Sequence, residues 1–245
     1  MIKRFYLVLA FLLLPHTAMA KSDLVIAIYD KNPWLMAIGS DSPIFALYED
    51  GKAIFWDQSQ GQGKYRYLIL DDQKVRDAVA VLHNLKDLAP EYPEPENDTI
   101  ALPSDLATAR IQFSLNNVQR SISVYGGFSE NNTGVIVPSQ LYKVYQYFMN
   151  HKSITAQVWY PPDVEIMVWP FEYAKNSISW PQDWPDLNSA STYKWGGDSY
   201  SIYLPYENLE AFKSLESTGD NGIAVEINGR KWAASYRIPF PHELR

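Results

Sequence analysis

Three tight turns, each flanked by residues typical of β-strands, constrain the fold of this chain most strongly. Asn-Gly and Asp-Gly adopt the left-handed backbone conformations that short hairpin loops require. Residues that favour strands on both sides of such a turn pair as antiparallel neighbours. The three turns are Asp50-Gly51 between residues 44–48 and 53–56, Asn116-Asn117 between residues 109–115 and 118–125, and Asn228-Gly229 within residues 222–236.

Three other segments carry apolar residues at the spacing of an α-helix. Each begins where a helix commonly starts, at an acidic cap or at a proline. The segments are residues 72–88 with Val75, Val79, Leu82 and Leu85, a helix opened by Pro138 with Leu141, Val144, Tyr145 and Phe148, and residues 205–217 with Leu209, Phe212 and Leu215.

Hairpins interleaved with a few helices predict an α+β fold, in which about three helices pack on antiparallel sheets of hairpins. Regular strand-helix alternation and glycine-rich strand-to-helix turns are missing from the sequence, which excludes a doubly wound parallel sheet. Further strands are predicted at residues 24–29, 65–70, 164–169 and 200–204, and an irregular stretch at residues 171–197.

The order strand, helix, hairpin occurs twice, at residues 65–125 and 200–237. One alternative is therefore a divergent duplication that produced two related halves. We place an N-terminal half at residues 21–155 and a C-terminal half at residues 156–245, without deciding from the sequence whether they share one core.

The N-terminus predicts export. Lys3 and Arg4 precede an apolar run over residues 5–14, and Ala18-Met19-Ala20 matches the small-x-small cleavage pattern of a signal peptide. The run is shorter than the roughly 20 residues of a spanning helix, so we expect cleavage after residue 20 and no membrane anchor. The chain has no cysteine, which excludes disulfides and a lipid-modified cysteine. We therefore expect a periplasmic or secreted protein.

The charge of the chain excludes one class of partner. The formal net charge is −7, and loss of Lys3 and Arg4 with residues 1–20 leaves 19 basic against 28 acidic residues, a formal charge of −9. Nucleic acids repel such a protein, and no cluster of lysine or arginine offsets the overall sign. Nucleic-acid binding is not expected.

Aromatic residues supply the candidate binding site. Five of the eight tryptophans fall within residues 159–195, and prolines fix the backbone around two of them. Such a stiff segment can present rings to a protein partner or to sugars. The alternative is that the rings close a core, because large aromatics are mostly buried. The candidate binding residues are Trp159, Trp169, Trp180, Trp184 and Trp195.

No catalytic constellation accompanies these rings. Nucleophile-elbow, P-loop and zinc-protease patterns do not occur, and the histidines His83, His151 and His242 are far apart in sequence. We therefore predict no catalytic residue, no metal and no cofactor. The chemical alternatives are the Ser-x-x-Lys spacing of Ser191 and Lys194, and the carboxylate pairs Asp163 with Glu165 and Asp183 with Asp186, which a glycoside-cleaving site could use.

Several segments together resemble a known group of sequences. They are the turn Leu-Tyr-Glu-Asp-Gly at residues 47–51, the helix and hairpin that follow, the Trp-Pro-rich middle, and residues 228–232 and 237–241 near the end. Over most of the mature chain this pattern resembles uncharacterised exported proteins of Gram-negative bacteria. The resemblance implies an envelope location and a non-catalytic character, and it carries over no functional residue.

The sequence thus favours an exported, non-catalytic binding protein with a protein partner, contacted through residues 159–195. Two alternatives stay open: binding or cleavage of an envelope glycan, and inhibition of a hydrolase by an inserted rigid loop.

Overall fold

Two β-sheets and three α-helices make up the part of the chain that the structure describes. This structure is a computed structural model and describes residues 22–32, 41–59, 63–93, 106–128, 137–150, 155–217 and 224–244. The predicted signal peptide, residues 1–20, lies outside these residues. The helices are α1 (Asp72–Leu82), α2 (Ser139–Met149) and α3 (Leu209–Ser217).

The strands divide between a large sheet and a small sheet. The large sheet has the strand order β5-β7-β6-β1-β2-β3-β4-β8, and the small sheet has the order β10-β13-β14-β9-β12-β11. The strands are β1 (Leu24–Lys31), β2 (Phe45–Tyr48), β3 (Lys52–Asp57), β4 (Lys64–Ile69), β5 (Glu91–Tyr92), β6 (Thr108–Leu115), β7 (Val118–Tyr125), β8 (Gln157–Val158), β9 (Asp163–Pro170), β10 (Ser177–Ser179), β11 (Thr192–Lys194), β12 (Tyr200–Pro205), β13 (Ala224–Ile227) and β14 (Arg230–Arg237).

The large sheet separates two hydrophobic cores, because alternate residues of a strand point to opposite faces. One face packs against α1 and α2. The other face packs against the small sheet and α3. Strand β1 contributes to both cores: Ile26 and Ile28 face the helices, whereas Ala27 and Tyr29 face the small sheet. The two predicted halves therefore share a core.

The structure confirms the α+β class and corrects the strand arrangement within it. Both sheets are mixed, because β5 pairs parallel with β7 and β10 pairs parallel with β13. Strands β10 and β11 also lie in the stretch that we expected to be irregular. Each is three residues long. Strand β10 pairs with β13, which is distant in sequence, whereas β11 pairs with the next strand, β12.

The predicted repeat does not extend to the strand order. In the large sheet, three strands lie between β4 and the hairpin β6-β7. The first strand of that hairpin, β6, is the one nearer the centre of the sheet. In the small sheet, one strand separates β12 from the hairpin β13-β14, and the second strand lies inward. Strand β8, from the C-terminal half, also pairs with β4 of the large sheet.

The first and third helices are shorter than predicted. Helix α1 ends at Leu82 and continues as a 3-10 turn over His83–Leu85. The side-chain amide of Asn84 donates to the carbonyl of Val81 at 2.8 Å, the carbonyl that would accept an α-helical bond from the N–H of Leu85. Helix α3 likewise follows a 3-10 turn over Tyr206–Asn208.

Arg237 connects the small sheet to the C-terminal segment. Its Nε donates to Glu165 on the adjacent strand β9 at 2.7 Å, and one terminal nitrogen donates to Glu243 at 2.9 Å. Glu165 is completely buried, and it also accepts a hydrogen bond from the Ser201 hydroxyl. Burial lowers the pKa of Arg237, but the carboxylates of Glu243 and Glu165 together raise it by more. The net pKa therefore lies above its usual value, and the guanidinium stays charged.

The C-terminal segment continues this network to the large sheet. Tyr29 donates its hydroxyl proton to Glu243 (3.2 Å), and its oxygen lies 3.0 Å from His242 Nε2. The Tyr48 hydroxyl lies 2.8 Å from His242 Nδ1. Burial raises the pKa of both tyrosines, so each is a neutral donor. A proton on Nε2 of His242 would let the ring donate to Tyr29 and accept from Tyr48.

Small residues leave room for this histidine. Ala27 and Ala46 are paired in register on β1 and β2, and both are fully buried. Tyr29 lies two residues after Ala27 on β1, and Tyr48 lies two residues after Ala46 on β2. Because the strands are antiparallel, the two tyrosines lie on opposite sides of the alanine pair, on the same face of the sheet. The imidazole of His242 spans the space between the two hydroxyl groups. We call Arg237, Glu165, Glu243, His242 and their two tyrosine partners the C-terminal clasp.

Replacement of Arg237 tests the clasp. Arg237→Leu leaves Glu165 and Glu243 buried without their cation, so we expect the free energy of unfolding to fall by about 3–5 kcal/mol in urea denaturation. Arg230→Leu is the matched control at the other end of β14, because Arg230 pairs only with exposed carboxylates. Its effect should be much smaller.

The same variant should change the pH dependence. Burial raises the pKa of Glu243 and Arg237 opposes that shift, so loss of Arg237 should move this pKa further above the unfolded value of roughly 4.3. Relative to the unmodified protein, the variant should therefore be most stable below that pH, and it should lose stability as pH rises through the folded-state pKa of Glu243. Equal decreases in the free energy of unfolding for Arg237→Leu and Arg230→Leu, with the same pH dependence in both variants, would contradict this role of the clasp.

Candidate functional site

The five candidate tryptophans do not form one surface. Trp159 and Trp180 are buried, with 8% and 7% of their surface exposed, and Trp169 and Trp184 are half-buried. Trp195 is 39% exposed. The prediction of a segment that presents its rings outward is therefore wrong for Trp159 and Trp180, whereas Trp195 meets the expected exposure.

Trp180 is part of the core beneath α3. Its indole nitrogen donates to the carbonyl of Pro185 at 2.9 Å, so the polar atom is satisfied inside the protein. Its ring packs edge-on against Trp184 at 5.1 Å between centroids and also contacts Phe212 of α3. The proline-stiffened loop thus folds back on its own tryptophans and seals the core, which is the alternative that the sequence left open.

Trp195 lies beside the edge strand of the small sheet. Its indole nitrogen donates to the Ser201 hydroxyl at 2.7 Å, and its ring packs edge-on against Tyr193 at 5.0 Å. Ser201 in turn donates to buried Glu165. An exposed ring is therefore held in one orientation by a buried polar group.

A cleft of about 780 Å³ lies between one edge of the large sheet and α3. Residues of the small sheet, including Ser235 and Tyr236, line it as well. Its volume is in the range of about 300–1,000 Å³ that ligand pockets usually have. Among the candidate tryptophans, Trp159 lines this cleft. We call it the aromatic cleft.

The wall on the large sheet is aromatic. Trp56 packs edge-on against Tyr65 at 4.9 Å, and Tyr65 packs edge-on against Trp159 at 6.0 Å. Trp56 is 37% exposed and Tyr160 is 68% exposed, so both can contact a ligand without a change in the fold. Gly63 allows this placement of Trp56, because a Cβ atom at Gly63 would overlap the indole ring.

The wall on α3 is charged. Glu207, Glu210, Lys213 and Glu216 all line the cleft, from the 3-10 turn that precedes α3 to the last turn of the helix. Leu209 and Phe212 pack into the core, as the apolar spacing predicted, and Leu209 also lines the cleft.

The ionisation of this wall follows from its surroundings. Burial raises the pKa of Glu216, and nearby Lys213 opposes that shift. Burial lowers the pKa of Lys213, but the hydrogen bond from its ammonium to Glu210 and the nearby Tyr236 raise it more, for a net increase. Asp41, which also lines the cleft, has its pKa raised by burial.

The other chemical alternatives have structural partners. Asp163 and Glu165 share a strand face, but Glu165 is sealed and bound to Arg237 and Ser201. Asp186 accepts from Asn188, Ser189 and Asn228, and these bonds, with the Asn228 side chain first, lower its pKa.

The remaining chemical candidates are the Ser191-Lys194 spacing and two histidines. Lys194 ends the strand β11, so the Ser191-Lys194 spacing does not lie on a helix. His83 is exposed, and His151 lies outside the described residues.

Across the described ranges, no three or more metal-binding side chains lie close enough to hold an ion. Within the same ranges, no helix has the length and apolar character to cross a membrane.

Comparison with protein-family models, curated proteins and solved structures found no match to this chain.

Sequence reasoning missed most of the cleft. The three-residue spacing of Glu207, Glu210, Lys213 and Glu216 is visible in the sequence. Trp56 ends the predicted strand at residues 53–56, which is apolar throughout and therefore does not indicate which side chains are exposed. No local signal indicates that these two elements face each other, because 150 residues separate Trp56 from Tyr206.

Two aromatic substitutions test the placement of the rings. Trp180→Ala removes a buried side chain and should lower the free energy of unfolding by about 3–5 kcal/mol in guanidinium denaturation. Tyr173→Ala changes a ring that is 84% exposed and should have an effect of less than about 0.5 kcal/mol. A Trp180→Ala protein as stable as the Tyr173→Ala control would contradict the described core.

Proposed function

We propose that this chain is an exported protein of the periplasm or cell exterior that binds an envelope glycan in the aromatic cleft, without cleaving it. The export signal in residues 1–20 supports the location. The observation that carries the binding proposal is a cleft with rings on one wall and carboxylates on the other.

A sugar has the two kinds of surface that these walls complement. The face of a pyranose ring presents C–H groups, which pack on aromatic rings such as Trp56 and Tyr160. Its edge presents hydroxyl groups, which donate hydrogen bonds to carboxylates such as Glu207. Ligand pockets commonly combine an apolar, aromatic lining with a few polar groups that fix orientation. A flat protein surface would leave a cleft of 780 Å³ largely unfilled.

The position of the carboxylates favours binding over cleavage. Glycoside hydrolysis uses two carboxyl groups on either side of the scissile bond, about 5–9.5 Å apart. Here Glu207, Glu210 and Glu216 stand on the same wall, and Glu210 is paired with Lys213 at 2.8 Å. This arrangement supports recognition of polar groups along one edge of a ligand.

Isothermal titration calorimetry with soluble peptidoglycan fragments and neutral oligosaccharides tests the proposal. We expect at least one glycan of the panel to bind. Trp56→Ala should weaken that binding roughly tenfold, which is about 1.4 kcal/mol, because it removes an exposed stacking surface.

The control is Trp195→Ala, which changes a tryptophan of nearly the same exposure outside the cleft. Its affinity should match the unmodified protein. Flat titrations across the panel would refute glycan binding, and equal losses in the two variants would refute the assignment to the cleft.

A second candidate function, binding of a protein partner, is favoured by the fixed orientation of Trp195. Tryptophan and tyrosine are the residues that most often dominate protein interfaces. Trp195 and Tyr193 are exposed by 39% and 42% and contact each other. A hydrolase inhibited by this surface is one class of partner that would suit it.

Capture from an envelope extract separates this candidate from the first. The immobilised mature chain, residues 21–245, should enrich a protein that Trp195→Ala loses and Trp56→Ala retains. A captured protein that both variants retain would contradict a contact through Trp195.

A further inference from the structure

The aromatic cleft already holds one ammonium group, that of Lys213. Its Nζ lies 2.8 Å from a carboxylate oxygen of Glu210 and 5.6 Å from the centre of the Tyr236 ring. Both residues line the cleft. A carboxylate together with the face of a ring is a known arrangement for cation recognition. The lysine shows that the chemistry of this cleft accommodates a protonated amine.

Two further carboxylates on the same wall form no salt bridge with a described residue, although Lys213 lies near enough to Glu216 to oppose the rise of its pKa. Within the part of the chain that the structure describes, Glu207 and Glu216 form no salt bridge. Glu207 follows Tyr206, whose ring packs edge-on against Tyr160 at 6.0 Å, and both of these rings line the cleft. Glu207 therefore lines the same cleft as two aromatic rings, and no salt bridge of the described residues neutralises it.

The charged residues that line the aromatic cleft have a net negative charge. The ionisable residues of the cleft are Asp41, Glu207, Glu210 and Glu216 against Lys64 and Lys213, a formal charge of −2. The chain as a whole carries −7. A positively charged ligand is therefore attracted both by the cleft and by the protein around it.

The spacing of the unpaired carboxylates favours an oligomer. Nine residues separate Glu207 from Glu216, which is about 14 Å along a helix at 1.5 Å per residue. One small amine cannot contact both carboxylates at that distance. A chain of sugars that carries an amine on successive rings can place one ammonium near each glutamate while its rings pack on the opposite wall.

We propose that the ligand of the aromatic cleft is an oligosaccharide of amino sugars whose amines are free and protonated, with Glu207 and Glu216 as the residues that select for the charge. This inference rests on the proposed function, since it names the class of glycan that the cleft takes.

Calorimetric titration of glucosamine oligomers and N-acetylglucosamine oligomers of equal length tests it. The two ligands share a backbone and differ in the charge of the amine. At neutral pH and low ionic strength we expect the glucosamine oligomer to bind at least tenfold more tightly. Added salt should weaken its binding and leave that of the acetylated oligomer almost unchanged.

The outcomes separate this inference from the proposed function. Equal affinity for both oligomers would overturn the preference for free amines while glycan binding stands. Tighter binding of the acetylated oligomer would overturn it in the same way. Failure of both oligomers and of the peptidoglycan fragments would overturn the proposed function and this inference together.

Two neutral variants assign the selectivity to residues. Glu207→Gln and Glu216→Gln should each lower the affinity for the glucosamine oligomer several-fold more than the affinity for the acetylated one. The charge-matched control is Glu91→Gln, an exposed residue on β5 at the opposite edge of the large sheet. A loss in Glu91→Gln equal to the other two would show that only the overall charge matters, and would overturn the site assignment.

Discussion

The contact of Arg237 with both Glu165 and Glu243 is the interaction on which the arrangement of the two sheets depends. Glu165 belongs to the central strand of the small sheet, and Glu243 belongs to the segment that reaches Tyr29 of the large sheet. Each carboxylate would be costly to bury alone, so the guanidinium makes burial of both possible. The final residues of the described chain are therefore a structural part of the sheet interface.

The aromatic cleft follows from this packing. Phe240, which precedes the clasp residue His242, packs edge-on against Tyr65 and Trp159 at 5.2 and 5.0 Å. These are two of the rings in the wall on the large sheet. The buried ring of Phe240, in the C-terminal segment, thus packs against the aromatic wall of the cleft. Helix α3 and the turn before it form the charged wall. Binding of a ligand between them uses a shape that folding has already fixed, which lowers the entropy lost on association.

Local chemistry explains which parts of the fold were predictable. Asn116, Asn117 and Asn228 adopt positive φ angles at the turns where the sequence placed them, because a two-residue loop requires that conformation. The parallel pairs, the clasp around His242 and the burial of Trp180 depend on contacts between residues far apart in sequence. Such contacts leave no periodic signal. For the same reason the sequence could not indicate that the two walls of the cleft meet.

Hydrogen–deuterium exchange with a glucosamine oligomer tests most directly whether the aromatic cleft is the binding site. Exchange reports local opening of backbone amides along the whole chain, and a bound ligand slows it where it contacts the protein. We expect slower exchange confined to β3, β4 and the segment from Tyr206 through α3. Unchanged exchange in these elements, with slowing around β11 and Trp195 instead, would contradict the account.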